Sequence, residues 1–126
     1  MKLKLAATLA VLTLTTAPAL AQFTDVNAVI QSIGSSQFTK AAGKVDGASS
    51  ARVEKLSTLL GASTAGQRLI RAETIYERDL DFLHGNLQMS PIAMQAIRAS
   101  GFDVNSIVAL SLDGEGSAIL YADDLK

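Results

Sequence analysis

The chain has 126 residues, 48% of them hydrophobic, with 11 basic and 12 acidic side chains, a net charge of −1 and no cysteine. The missing cysteine excludes disulfide staples, thiolate metal sites, thiol redox chemistry, a cysteine nucleophile and a lipid-modified cysteine. The charge balance argues against nucleic-acid binding and against an anionic-lipid surface.

The first 21 residues read as an export signal. Lys2 and Lys4 form a short basic region, residues 5–14 an apolar run broken by threonines, and Ala19-Leu20-Ala21 an A-x-A cleavage motif after Pro18. The apolar run is shorter than the roughly 18 residues a membrane span needs, which sets aside an uncleaved anchor. Cleavage is expected after Ala21, making Gln22 the first mature residue, with no stable membrane insertion afterwards. The expected compartment is a bacterial periplasm, with secretion onward as the alternative. Removing 21 residues from 126 leaves 105, and losing the two lysines takes the net charge from −1 to −3. Residues 22–126 are then a single small domain, stabilised by packing or by a partner.

Thr24 is placed to cap a first helix, with Val26, Val29, Ile30 and Ile33 at helical spacing and Gly34 at its end. Ser36 can cap a second, in which Phe38, Ala41, Ala42 and Val45 repeat the spacing despite Gly43. Residues 51–60 fit either a helix or a strand over 52–58. The strand is preferred, because a C-terminal hairpin alone is marginal in water and a third strand completes a sheet. Thr64 and Gln67 form a T-x-x-Q capping box that opens the longest helix, expected to run to His84 with Gly85 beyond its end. Its stripe is Leu69, Ala72, Tyr76, Leu80 and Leu83, roughly 80° wide. Ser90 and Pro91 start a last helix and Gly101 ends it, with Phe102 folding back on Ile97. Beyond residue 106 the period changes to two. Val108, Leu110 and Leu112 are expected on one face of a hairpin with Ile119 and Tyr121, around a turn at 113–116.

Three patterns suggest chemistry. Gly61-Ala62-Ser63-Thr64-Ala65 resembles a nucleophile elbow, but the one histidine, His84, lies at the far end of the following helix, about 30 Å away. Asp113, Glu115, Ser117 and Asp124 have the spacing of a calcium loop, yet Ala118 replaces its glycine. A hairpin would also hold the two ends about 20 Å apart. The third pattern is an acidic edge, Glu73, Glu77, Asp81 and His84, at i, i+4, i+8 and i+11. Like charges one turn apart repel, and these acids lie toward the negative end of the expected helix. The edge reads first as a solvated face near Arg98 or Lys55, with His84 as a C-terminal cap, and second as a ligand or partner surface. Asp79, inside the apolar stripe, reads as structural.

The sequence therefore predicts an α+β domain. A small antiparallel sheet of two or three strands, with a C-terminal hairpin, packs against a long helix and shorter helices. No catalytic residues, metal ligands or cofactors are assigned. The expected role is a non-enzymatic interaction or accessory domain for an unidentified protein or small molecule. The alternative is a small-molecule or divalent-metal module using the acidic edge.

Overall fold

The structure is a computed structural model that describes residues 22–125. The expected leader, including Ala19 and Ala21, lies outside the described residues. The elements run α1 (Val26–Ser32), α2 (Ser36–Lys44), β1 (Ser50–Lys55), α3 (Gly66–Ile75), α4 (Glu77–Gln88), α5 (Pro91–Ser100), β2 (Ile107–Leu112) and β3 (Ser117–Ala122). This is an α+β fold with the expected C-terminal hairpin.

The helices start where short polar side chains meet orphan amides, at times one residue from expectation. Asp25 caps α1, accepting from the Ala28 amide at 2.8 Å. Thr24 is occupied instead by an extended bridge, in which the Leu60 amide donates to its carbonyl at 3.2 Å. Ser35, not Ser36, caps α2 through the Phe38 amide. Ser90 caps α5 through the Ala93 amide with Pro91 in the first turn, and Gly101 ends it at φ +85°, both as expected. The Thr64–Gln67 capping box does not form. Residues Ala62–Thr64 make a 3₁₀ turn and α3 begins after Ala65 without a side-chain cap.

The ambiguous segment is a strand, β1, which ends at Lys55 and delivers Leu56 into the core. The sheet order is β1-β3-β2. β2 and β3 are antiparallel, but β1 runs parallel to β3, so the sheet is mixed rather than antiparallel throughout. The helices α3, α4 and α5 between β1 and the hairpin supply the long connection that parallel pairing requires. Charged residues Arg52, Glu54 and Lys55 occupy edge strand β1, where Arg52 pairs with Glu54. Such charges discourage pairing with another chain.

The hairpin register corrects a second expectation. Asp113 pairs with Ser117 around residues 114–116, so Leu110 lies opposite Leu120 and Ala109 opposite Tyr121. A three-residue connection keeps even positions with even ones. Tyr121 and Ile119 therefore share a face with Ala109 and Ser111, not with Leu110 and Leu112. Residues 107–111 of β2 are all buried, as are Leu120, Tyr121 and Ala122 of β3. Because neighbours in a strand point to opposite faces, most of this hairpin is covered on both sides. Helix α2 lies beside β2 and α4, and α5 lies along β1.

The expected single helix over 65–84 is two helices. The chain leaves helical geometry at Tyr76 (φ −107°, ψ +33°), and α4 continues through Gly85 to Gln88. Continuation buries Leu87 in register with Leu80 and Leu83, which outweighs the roughly 1 kcal/mol cost of a helical glycine. The break coincides with a close contact. Gly34, at φ +80°, faces the Tyr76 ring so tightly that a Cβ there would lie 2.2 Å from Tyr76 Cδ1. At the other end of α2, the Phe82 ring lies over Gly43, 3.8 Å from where a Cβ would sit. The pairs 34–76 and 43–82 rise together in number, so α2 and α4 run in the same direction past one another.

Gly34→Ala therefore combines the cost of a left-handed backbone, about 1–2 kcal/mol, with overlap against the ring. It should lower the urea-unfolding free energy by at least about 2 kcal/mol. Adding Tyr76→Ala should relieve the overlap, so that Gly34→Ala costs less in that background. Equal costs in both backgrounds would show that the ring contact is not what demands glycine.

Candidate functional site

The acidic edge is divided by a helix break, and Glu73 and Glu77 come together beside Ile70 and Thr74 at an open cavity. Glu73 belongs to α3, while Glu77, Asp81 and His84 belong to α4, beyond the break. The break eases the electrostatic puzzle for Glu77, though Glu73 stays in the last turn of α3. Glu77 and Asp79 stand in the first turn of a new helix, where acids complement the dipole instead of opposing it. His84 turns inward, with Nε2 2.7 Å from the Ile107 carbonyl oxygen, and so fastens α4 to the start of β2. It is a tertiary tie rather than the expected C-terminal cap. Among the described residues no three His, Asp or Glu side chains converge as metal ligands, and neither Arg98 nor Lys55 forms an ion pair with the edge.

The two other patterns resolve into structural roles. Ser63 lies in the turn before α3, whereas the His84 ring nitrogen is engaged at β2. Asp113 closes the hairpin turn by accepting from the amides of Glu115 (2.9 Å) and Ser117 (3.0 Å). Asp124 clamps Ser57, accepting from its amide at 2.9 Å and its hydroxyl at 2.5 Å. The two ends of the calcium-like spacing thus hold two different loops.

The residues that do converge were not singled out by motif. A cleft of about 400 Å³ opens between α2 and the outer edge of β2. Phe23, Phe38, Leu110 and Leu112 give it apolar walls, and Gln37, Lys40, Lys44 and Asp113 add polar groups. The folding reasons are local. Phe38 and Ala42 turn one side of α2 into the core. Gln37, Lys40, Ala41 and Lys44 recur at i, i+3, i+4 and i+7 along an adjacent stripe, which fronts the cleft. Phe23 is brought in by Tyr121, whose hydroxyl accepts from the Phe23 amide at 3.0 Å and whose ring meets the Phe23 ring edge-on at 5.3 Å.

Ser111 places an unmet polar group behind the wall of the cleft. It is 8% exposed, it lines the cleft, and its buried hydroxyl has no hydrogen-bond partner. Such a group costs about 1–3 kcal/mol of desolvation. The two lysines have no ion-pair partner among the described residues. Asp113, the one acid in the cleft, already holds two turn amides through Oδ1. The sequence did carry a signal for Ser111, a lone hydroxyl within the apolar run Val108-Ala109-Leu110-Ser111-Leu112.

No family model, curated protein or solved structure matches this chain.

Ser111→Ala should stabilise the domain by about 1 kcal/mol in urea unfolding, because it deletes the unpaired hydroxyl and little volume. A loss of stability of similar size would show that the hydroxyl is bonded in the folded protein.

Proposed function

We propose that this is an exported, non-enzymatic binding domain that holds a small molecule in the cleft between α2 and β2. The cleft carries this reading. Its volume lies within the roughly 300–1,000 Å³ range of small-molecule sites, and it combines apolar walls with a few polar groups. Lys40 and Lys44, which have no ion-pair partner among the described residues, are available to a ligand there. No histidine lies among its lining residues, and a binding role needs none. The export reading rests on the basic, apolar and A-x-A segments of residues 1–21. The ligand surface moves from the acidic edge to the cleft because His84, the edge's one nitrogen donor, is engaged by Ile107.

The test is a fragment screen by NMR on ¹⁵N-labelled protein beginning at Gln22. Fragments should shift the amides of Lys40, Lys44 and residues 110–114 together. Shifts confined to residues 70–77, or scattered without saturation, would contradict the reading. Protein recovered from the periplasm of a Gram-negative host expressing residues 1–126 should begin Gln22-Phe23-Thr24 on N-terminal sequencing. A start at Met1 would contradict export.

A further inference from the structure

We propose that the cleft is a site for a small organic anion with an unbranched apolar tail, a medium-chain carboxylate. The proposal deepens the binding-domain reading and rests on it. Three observations fix the chemistry. The first is shape. The cleft follows α2 from Gln37 to Lys44, about 10 Å at the rise of a helix, and so favours an extended ligand over a compact one. The second is the apolar lining. Phe23, Phe38, Leu110 and Leu112 all contribute to it.

The third is charge. Lys40 and Lys44 lie one turn apart on α2, so both ammonium groups can reach one head group, and neither is neutralised within the described residues. Asp113 is the counter-charge in the cleft, but two backbone amides already draw on its Oδ1. The cleft therefore keeps a net positive charge in a domain that is acidic overall. This local reversal discriminates against cationic and neutral tails. A carboxylate is an acceptor only, which suits a site whose unused groups are two ammonium donors.

The test titrates the ¹⁵N-labelled protein beginning at Gln22 with decanoate, decanol and decylammonium, below their aggregation concentrations, and with hexanoate. Decanoate should bind saturably at Lys40, Lys44 and residues 110–113, at least tenfold more tightly than decanol. Hexanoate should bind more weakly than decanoate, since each buried methylene is worth about fourfold in affinity. The double variant Lys40→Gln/Lys44→Gln should lose about tenfold for decanoate and nothing for decanol. Both side chains are exposed, so the fold is expected to persist, and the amide spectrum reports it directly. Decanol or decylammonium binding as well as decanoate would overturn the anion assignment and leave the binding-domain reading standing. So would fragments that fill the cleft while every alkyl probe fails. Absence of saturable binding by any fragment or probe would overturn both.

Discussion

Tyr121 ties the beginning of the described chain to its end. It sits in the central strand of the sheet and is fully buried, yet its hydroxyl must find a partner. That partner is the amide of Phe23, 98 positions away in sequence, and the two rings meet edge-on. The contact draws residues 22–24 toward the face of the sheet shared by Tyr121, Ala109 and Ser111. The extended Thr24–Leu60 bridge and α1 follow from that placement. Covering this face as well as the one bearing Leu110 and Leu120 lets a Cys-free domain bury nearly the whole hairpin. The same contact brings Phe23 to the mouth of the cleft. Binding surface and folding constraint thus share a residue.

The helical layer depends on a second constraint, the fit of aromatic rings onto glycines. Tyr76 occupies the space where a side chain at Gly34 would stand, and Phe82 lies over Gly43. With α2 held in this way, its Gln37–Lys44 stripe faces β2 instead of packing against α4. The break at Tyr76 starts a new helix with Glu77 and Asp79 in its first turn. Glu77, which looks misplaced on one long helix, is well placed at the start of the second.

Periodicity carried most of the fold, and capping chemistry fixed the start of α5 alone. The 3.6-residue spacing of Val26, Val29 and Ile33, the Ser90-Pro91 start and the alternation after residue 106 each correspond to an observed element. The failures have particular causes. The Tyr76 break has no Pro or Gly to announce it and depends on a tertiary contact with Gly34. The parity of the hairpin depends on whether the turn holds two residues or three, which Asp113-Gly114-Glu115-Gly116-Ser117 leaves open. β1 was legible as a strand only through the needs of its neighbours, and its parallel direction not at all. The candidate site was least legible, because its groups come from three separated segments and match no motif. The acidic edge drew notice because like charges recur along it, whereas the cleft's signal was one serine among buried aliphatic residues.

The most direct test of this account is the cost of removing the Tyr121 hydroxyl, measured with and without the segment it holds. In protein beginning at Gln22, Tyr121→Phe should lower the urea-unfolding free energy by about 1 kcal/mol, the usual worth of such a bond. In protein beginning at Asp25, which lacks Phe23, the same substitution should cost nothing measurable. An equal cost in both would mean that Tyr121 does not hold residues 22–24, and that the coupling between the chain's start, the sheet and the cleft is not real.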